Sequence, residues 1–226
     1  MNQLSYTAFR DIFFPPDEEG QESSNQLALE KVRRFQPPLA TNISASPLVI
    51  FDFETTGLDT KNDHIIEIGG LKTQGGVIIE EFETLIKPPV PLTSTVINIT
   101  GITEELLVGQ PTIDGQLQKF LRFIDGSILV AHNADFDMAF LRSAAARLGI
   151  QLEWPGFCTL KMARNLLPDL ESRTLDSLAE HYNLTFESRH RSIGDCKVTS
   201  SVLQSMLKDA FQDQVTWQAL QPYTAK

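Results

Sequence analysis

The chain is short of cysteine, of basic charge and of long apolar runs, and each shortage excludes something. Cys158 and Cys196 are its only cysteines in 226 residues. That is too few for a disulfide framework and points to a reducing compartment, so the cytoplasm is the expected location. No stretch reaches the roughly 18 consecutive apolar residues of a spanning helix, so no membrane association is expected. The first residues carry Arg10, Asp11 and the acids of 17–19 around a short aromatic patch, which is not the order of a secretory leader. The Asn-X-Ser/Thr triplets at Asn42, Asn98 and Asn183 are accordingly expected to be fortuitous. Nineteen basic residues stand against 29 acidic ones, a net charge of −10. A passive nucleic-acid coat protein wants the opposite balance. An enzyme that holds cations with carboxylates and meets nucleic acid only locally is still allowed. The sequence also lacks internal repeats, a Walker A loop, a zinc-ligand pair and a nucleophile elbow.

What is present is ordinary globular composition, 42% hydrophobic and 21% charged. The length suits one domain with an appendage. Composition changes near residue 46. Residues 1–46 hold an aromatic cluster (Tyr6, Phe9, Phe13, Phe14), a breaker-rich run, a charged helical candidate at 26–35 and Pro37-Pro38. Such a segment is too short to bury its own core and reads as an extension or docking arm. Residues 47–210 read as the main domain and 211–226 as a short C-terminal tail.

Within the domain, strands are expected at 48–53, 65–72 and 77–86, the last two split by the turn signal Gln74-Gly75-Gly76. Three strands so closely joined suggest an antiparallel meander. Helices and strands then alternate: an N-cap at Thr103, a helix over 113–124, a strand at 127–131 and a helix over 135–148. A short strand at 157–159 and helices at 160–167, 174–182 and 191–208 complete an α/β sandwich on a mixed sheet.

The chemistry begins at Phe51-Asp52-Phe53-Glu54-Thr55-Thr56-Gly57. Alternate strand residues share a face, so Asp52 and Glu54 point one way while Phe51 and Phe53 point the other. The bland alternative is that the strand has ended and both acids are solvated. Side by side on an apolar strand, they repel and lose solvation unless a cation sits between them. Further acids open two helices. Asp137 shares a face with Leu141, Ala145 and Leu148, and Asp195 with Thr199, Val202 and Met206, both facing inward. Asp135 is expected to serve the helix dipole instead. Four acids at strand and helix ends of one core are best explained by hard cations with oxygen ligands.

The strings DFETTGLD, HNADFD and HRSIGD, in that order, resemble the three motifs of the DEDD exonucleases. Histidine five residues before the last aspartate resembles the DEDDh, or DnaQ-like, branch; the tyrosine of the DEDDy branch would stand where Arg191 does. ITGIT at 99–103, SILVAHNADFDMAFL at 127–141 and RTLDSLAEHYNL at 173–184 match as well. The likeness spans about 47–207. It is nearest to the proofreading exonuclease of PolC-type and epsilon-subunit replicative polymerases. The resemblance implies a ribonuclease H-like fold with a five-stranded sheet in the order 3-2-1-4-5. It also implies that Asp52, Glu54, Asp137 and Asp195 hold two divalent ions, Mg²⁺ or Mn²⁺, with His190 as general base. Thr55, Thr56 and Phe136 would contact the 3′ nucleotide. The implied activity is 3′→5′ hydrolysis of single-stranded DNA ends to nucleoside 5′-monophosphates. RNA trimming, or a non-catalytic interaction module docking through residues 1–46, are the other readings. A partner protein or a second copy of the chain is the expected target of that arm.

Among weaker candidates, His132 and Asn133 read as ordering the second motif, with Asn133 as a helix cap. Arg189 and Arg191 could meet phosphates. Trp154 and Trp217 could stack on bases, although Trp154 reads better as core. Cys196 reads as a buried thiol.

Overall fold

The computed structural model describes residues 32–211 and 215–225. Its strands are β1 (Val32–Arg34), β2 (Leu48–Thr55), β3 (Ile65–Gln74), β4 (Val77–Leu85), β5 (Ile128–Ala131), β6 (Gln151–Glu153) and β7 (Gly156–Cys158). Its helices are α1 (Ser94–Thr100), α2 (Glu104–Leu107), α3 (Ile113–Phe123), α4 (Ala134–Arg147), α5 (Thr159–Leu166), α6 (Leu175–His181), α7 (Ser192–Phe211) and α8 (Trp217–Leu220). Five strands form the main sheet in the order β4-β3-β2-β5-β7, which counted along the chain is 3-2-1-4-5. β2, β3 and β4 run antiparallel, while β5 and β7 run parallel to β2. The β3–β4 turn works because Gly75 and Gly76 both take positive φ, 60° and 78°, which the twist of a two-residue hairpin requires.

Side chains alternate between two faces of the sheet, and β2 and β3 are buried on both. Phe51 and Phe53 turn one way and pack with Phe82 against Phe120 of α3, ring centroids 5.3–6.0 Å apart. Leu48, Ile50 and Leu71 turn the other way, into a core shared with Cys196, Val202, Leu203 and Met206 of α7. The start of α7 lies directly on β3. A Cβ on Gly69 would stand 2.5 Å from Ser192, so only glycine lets the helix begin there.

Three expectations change. The division at residue 46 moves, because the compact unit begins at Val32. β1 pairs in parallel with β6, Phe35 stacks on Trp154 at 5.0 Å, and Ile43 is fully buried. The helix expected over 26–35 is a strand where it is described. An open edge on β6, with Arg34 donating to Glu153 at 2.6 Å, overrides local helix propensity. The rest of that candidate and the aromatic cluster Tyr6-Phe9-Phe13-Phe14 lie outside the described residues. The C-terminal segment is core as well, with Trp217 1% exposed and Thr224 bridged to Phe157. Trp217 is therefore closed to base stacking, and so is Trp154, whose indole donates to the Ser127 carbonyl at 2.9 Å. No described helix is long and apolar enough to cross a membrane.

Candidate active site

The parallel pairing of β2 with β5 stops at Ile50–Val130, and the chain leaves β5 through His132-Asn133 into α4. A crevice opens there, at the carboxyl ends of two parallel strands, where open α/β sheets place their sites. Asp52 and Glu54 lie on the continuing part of β2. Asp137, in the first turn of α4, accepts the Phe53 amide at 3.2 Å, so its carboxylate lies against β2 beside both acids. Asp195, in the first turn of α7, comes from the other side; its carboxylate and that of Glu54 reach within 4.8 Å of a ring nitrogen of His190. The four acids and the histidine of the three motifs thus come together.

Electrostatics show a site that wants positive charge. Burial, then repulsion from Asp137, Glu54 and Asp195, holds the Asp52 carboxyl far above its ordinary range. Burial pushes Asp137 up to about 8 and Glu54 up to about 7. Asp195 rises to about 6, burial outweighing the guanidinium of Arg189. One Asp195 oxygen accepts from Arg189, while Oδ1 is buried without any hydrogen-bond partner. Such an orphaned acceptor among crowded carboxylates fits a divalent cation with oxygen ligands. His190 sits at φ 58° with its ring half-buried; burial, then Arg189, lowers its pKa and favours neutral imidazole.

Thr55 ends β2 and Thr56 opens the loop that follows. The Thr56 hydroxyl is spent inside it, donating to Asp63 at 2.9 Å and accepting the His64 amide at 3.0 Å. Arg147, at the end of α4, clamps the same loop through the carbonyls of Thr60, Lys61 and Asp63. Within that loop Leu58 is 83% exposed, an apolar side chain that sequence reasoning passed over. Phe136 is half-buried, its ring 4.9 Å from Phe140. Asn133 holds the cap position at φ 63° but makes no side-chain capping bond. His132 bonds Thr159 at 3.0 Å and is pushed down to about 4 by burial. Asp135 pairs with Lys161 at 2.8 Å.

The two arginines face protein carboxylates. Arg191 donates from Nε and Nη2 to Glu67 at 2.9 and 2.6 Å, and Ser192 gives Glu67 its amide and hydroxyl at 2.8 and 2.9 Å. Glu67 is wholly buried in β3, and sequence reasoning did not single it out. Its one signal was an acid inside the apolar run Ile65-Ile66-Glu67-Ile68. Arg189, Arg164 and Arg173 line a cleft of about 580 Å³ whose floor includes Asp52 and Asp195.

A mixed sheet in this order, with acids gathered at its crevice, defines the class of ribonuclease H-like exonucleases. The chain belongs to the Exonuclease (RNase T) family, whose signature matches residues 49–203. It is 41% identical to the PolC-type DNA polymerase III of Caldanaerobacter subterraneus subsp. tengcongensis over 175 residues, 76% of this chain and 12% of that one. The same protein of Thermotoga maritima is 41% identical over 189 residues, 77% and 14% of the two chains. The chain thus spans about an eighth of the length of these relatives. Among solved structures, exonuclease X in complex with 5′ overhanging duplex DNA superposes with a TM-score of 0.62 at 26% identity, covering 76% of this chain and 97% of that one. E. coli exonuclease I in complex with a dA16 oligonucleotide shares the fold, with a TM-score of 0.65 at 17% identity over 74% and 41% of the chains.

Proposed function

We propose that this chain is a metal-dependent 3′→5′ exonuclease that releases nucleoside 5′-monophosphates from single-stranded DNA. The observation that carries the reading is the buried, partnerless Oδ1 of Asp195 beside three further carboxylates held above their ordinary pKa. Asp52, Glu54, Asp137 and Asp195 would hold two divalent ions, Mg²⁺ or Mn²⁺. Bound there, the ions would supply the Lewis acidity that stabilises the attacking and leaving oxygens of an in-line displacement. The chain's own residues do the rest. Neutral His190 takes the proton of the attacking water. Thr55 and Thr56 present backbone to the terminal nucleotide from a loop fixed by Arg147, and Leu58 and Phe136 offer apolar surface to its base and sugar.

DNA is favoured because the polymerase relatives and both structural neighbours are named for DNA-directed work or solved on DNA. A cytoplasmic replication setting is part of the same reading, and the polymerase relatives support it. Docking to a partner protein or a second copy of the chain is proposed for the extension, residues 1–46, of which those from Val32 on are described. The test is hydrolysis of matched 3′-labelled DNA and RNA single strands with Mg²⁺, Mn²⁺ or a chelator. Mononucleotides from DNA, lost on chelation, are expected. Faster release from RNA would replace the substrate, and no release with either ion would overturn the reading.

A further inference from the structure

The mechanism above gives Arg189 no role, yet its guanidinium contacts both Asp195 and His190. Its guanidinium makes three kinds of contact. Nε and Nη2 grip the two oxygens of Asp176, in the first turn of α6, at 2.8 and 2.9 Å. The plane lies over the Phe186 ring, 5.0 Å from its centroid. The remaining nitrogen, Nη1, donates to Asp195 Oδ2 and stands 3.3 Å from His190 Nδ1. An arginine nitrogen only donates, so in this contact Nδ1 is the acceptor. One NH₂ group thereby occupies an oxygen of a proposed ion ligand and the lone pair of the proposed base.

We propose that Arg189 is a positioning residue that holds Asp195 and His190 in a resting state and competes with the divalent ion for Asp195. The inference rests on the carboxylates being the ion site. Arg189 neutralises part of the buried negative charge when no ion is bound, which keeps four crowded acids compatible with folding. Asp176 and Phe186 tether the planar fork from the far side, so leaving Asp195 costs Arg189 one contact of several and the group stays at the cleft edge. An ion taken up at the bare Oδ1 then faces the Nη1 charge held on Oδ2, and displacement of Nη1 would also free His190 Nδ1.

The test is calorimetric titration of Mn²⁺ into the full chain at about pH 8, with wild type, Arg189→Gln and Arg189→Lys, alongside melting curves with and without Mn²⁺. Loss of a competing charge-assisted bond should tighten uptake in Arg189→Gln on the order of tenfold. Arg189→Lys keeps the charge but cannot span Asp176 and Asp195 as a fork, so it should fall between. Without ion, Arg189→Gln should melt lower than wild type, and Mn²⁺ should raise its melting point by the larger amount. A residue serving structure alone would lower the melting point without tightening uptake. Equal or weaker uptake in both variants, with wild type binding normally, overturns the role of Arg189. No uptake by any of the three proteins overturns the ion site itself, and this inference with it.

Discussion

Two buried acids meet the start of α7 and fare very differently. Glu67 reaches it from β3 and is satisfied at both oxygens, by Arg191 on one and by the amide and hydroxyl of Ser192 on the other. Asp195 lies one turn into the same helix with one oxygen paired and one bare. Burial is similar, 0% and 5% exposure, so burial cannot separate their roles. Satisfaction can. A complete set of partners makes Glu67 the bolt that seats α7 on the sheet. An incomplete set fits the role of ion ligand proposed for Asp195.

The contrast breaks most sharply on the unsatisfied side. Asp52→Asn should abolish mononucleotide release with Mg²⁺ while leaving the metal-free melting point unchanged or raised, since it relieves repulsion among Asp52, Asp137, Glu54 and Asp195. Turnover near wild type would return these acids to a structural role. Next comes His190→Asn, in which asparagine tolerates the left-handed backbone. Its rate should fall on the order of 10²–10⁴-fold, with strand binding in a filter assay largely kept.

On the satisfied side the effect should appear in stability. Arg191→Ala strips Glu67 of its counter-charge and should cost about 3 kcal/mol in denaturant unfolding, the scale of a broken buried pair. Because Arg191 is itself partly exposed, a much smaller loss would show that Ser192 alone suffices.

The smallest effect concerns pH. Folded Glu54 and Asp137 titrate near 7 and 8, above their ordinary values of 4.5 and 3.8. Between those limits the folded chain holds more protons than the unfolded one, so metal-free stability should fall as pH rises from about 5 to about 8. Saturating Mg²⁺ should flatten that slope in a series of thermal melts.

The side of this contrast to which the chemistry is proposed to belong was legible in the sequence. Asp52 and Glu54 alternate with two phenylalanines, and Asp137 and Asp195 each start an inward helical stripe, so local periodicity alone aims all four. The satisfied side was hidden, because Glu67 and its partner Arg191 are 124 residues apart and nothing local announces the pair. The same holds for β1, whose partner strand lies 119 residues on, and for Trp217, which no local pattern marks as core. Arg189 was visible as a basic residue beside His190, but its grip on Asp176 depends on how α6 meets the loop before α7.

His190 occupies a left-handed backbone position, φ 58°, where glycine or asparagine would sit with less strain. Selection for durability alone would therefore remove this histidine, and if His190 is the proposed base, a continuing demand for turnover would keep it. A descendant freed from hydrolysis should lose His190 early while Glu67 and Arg191 persist. The order in which those positions decay would date when the enzyme became a scaffold.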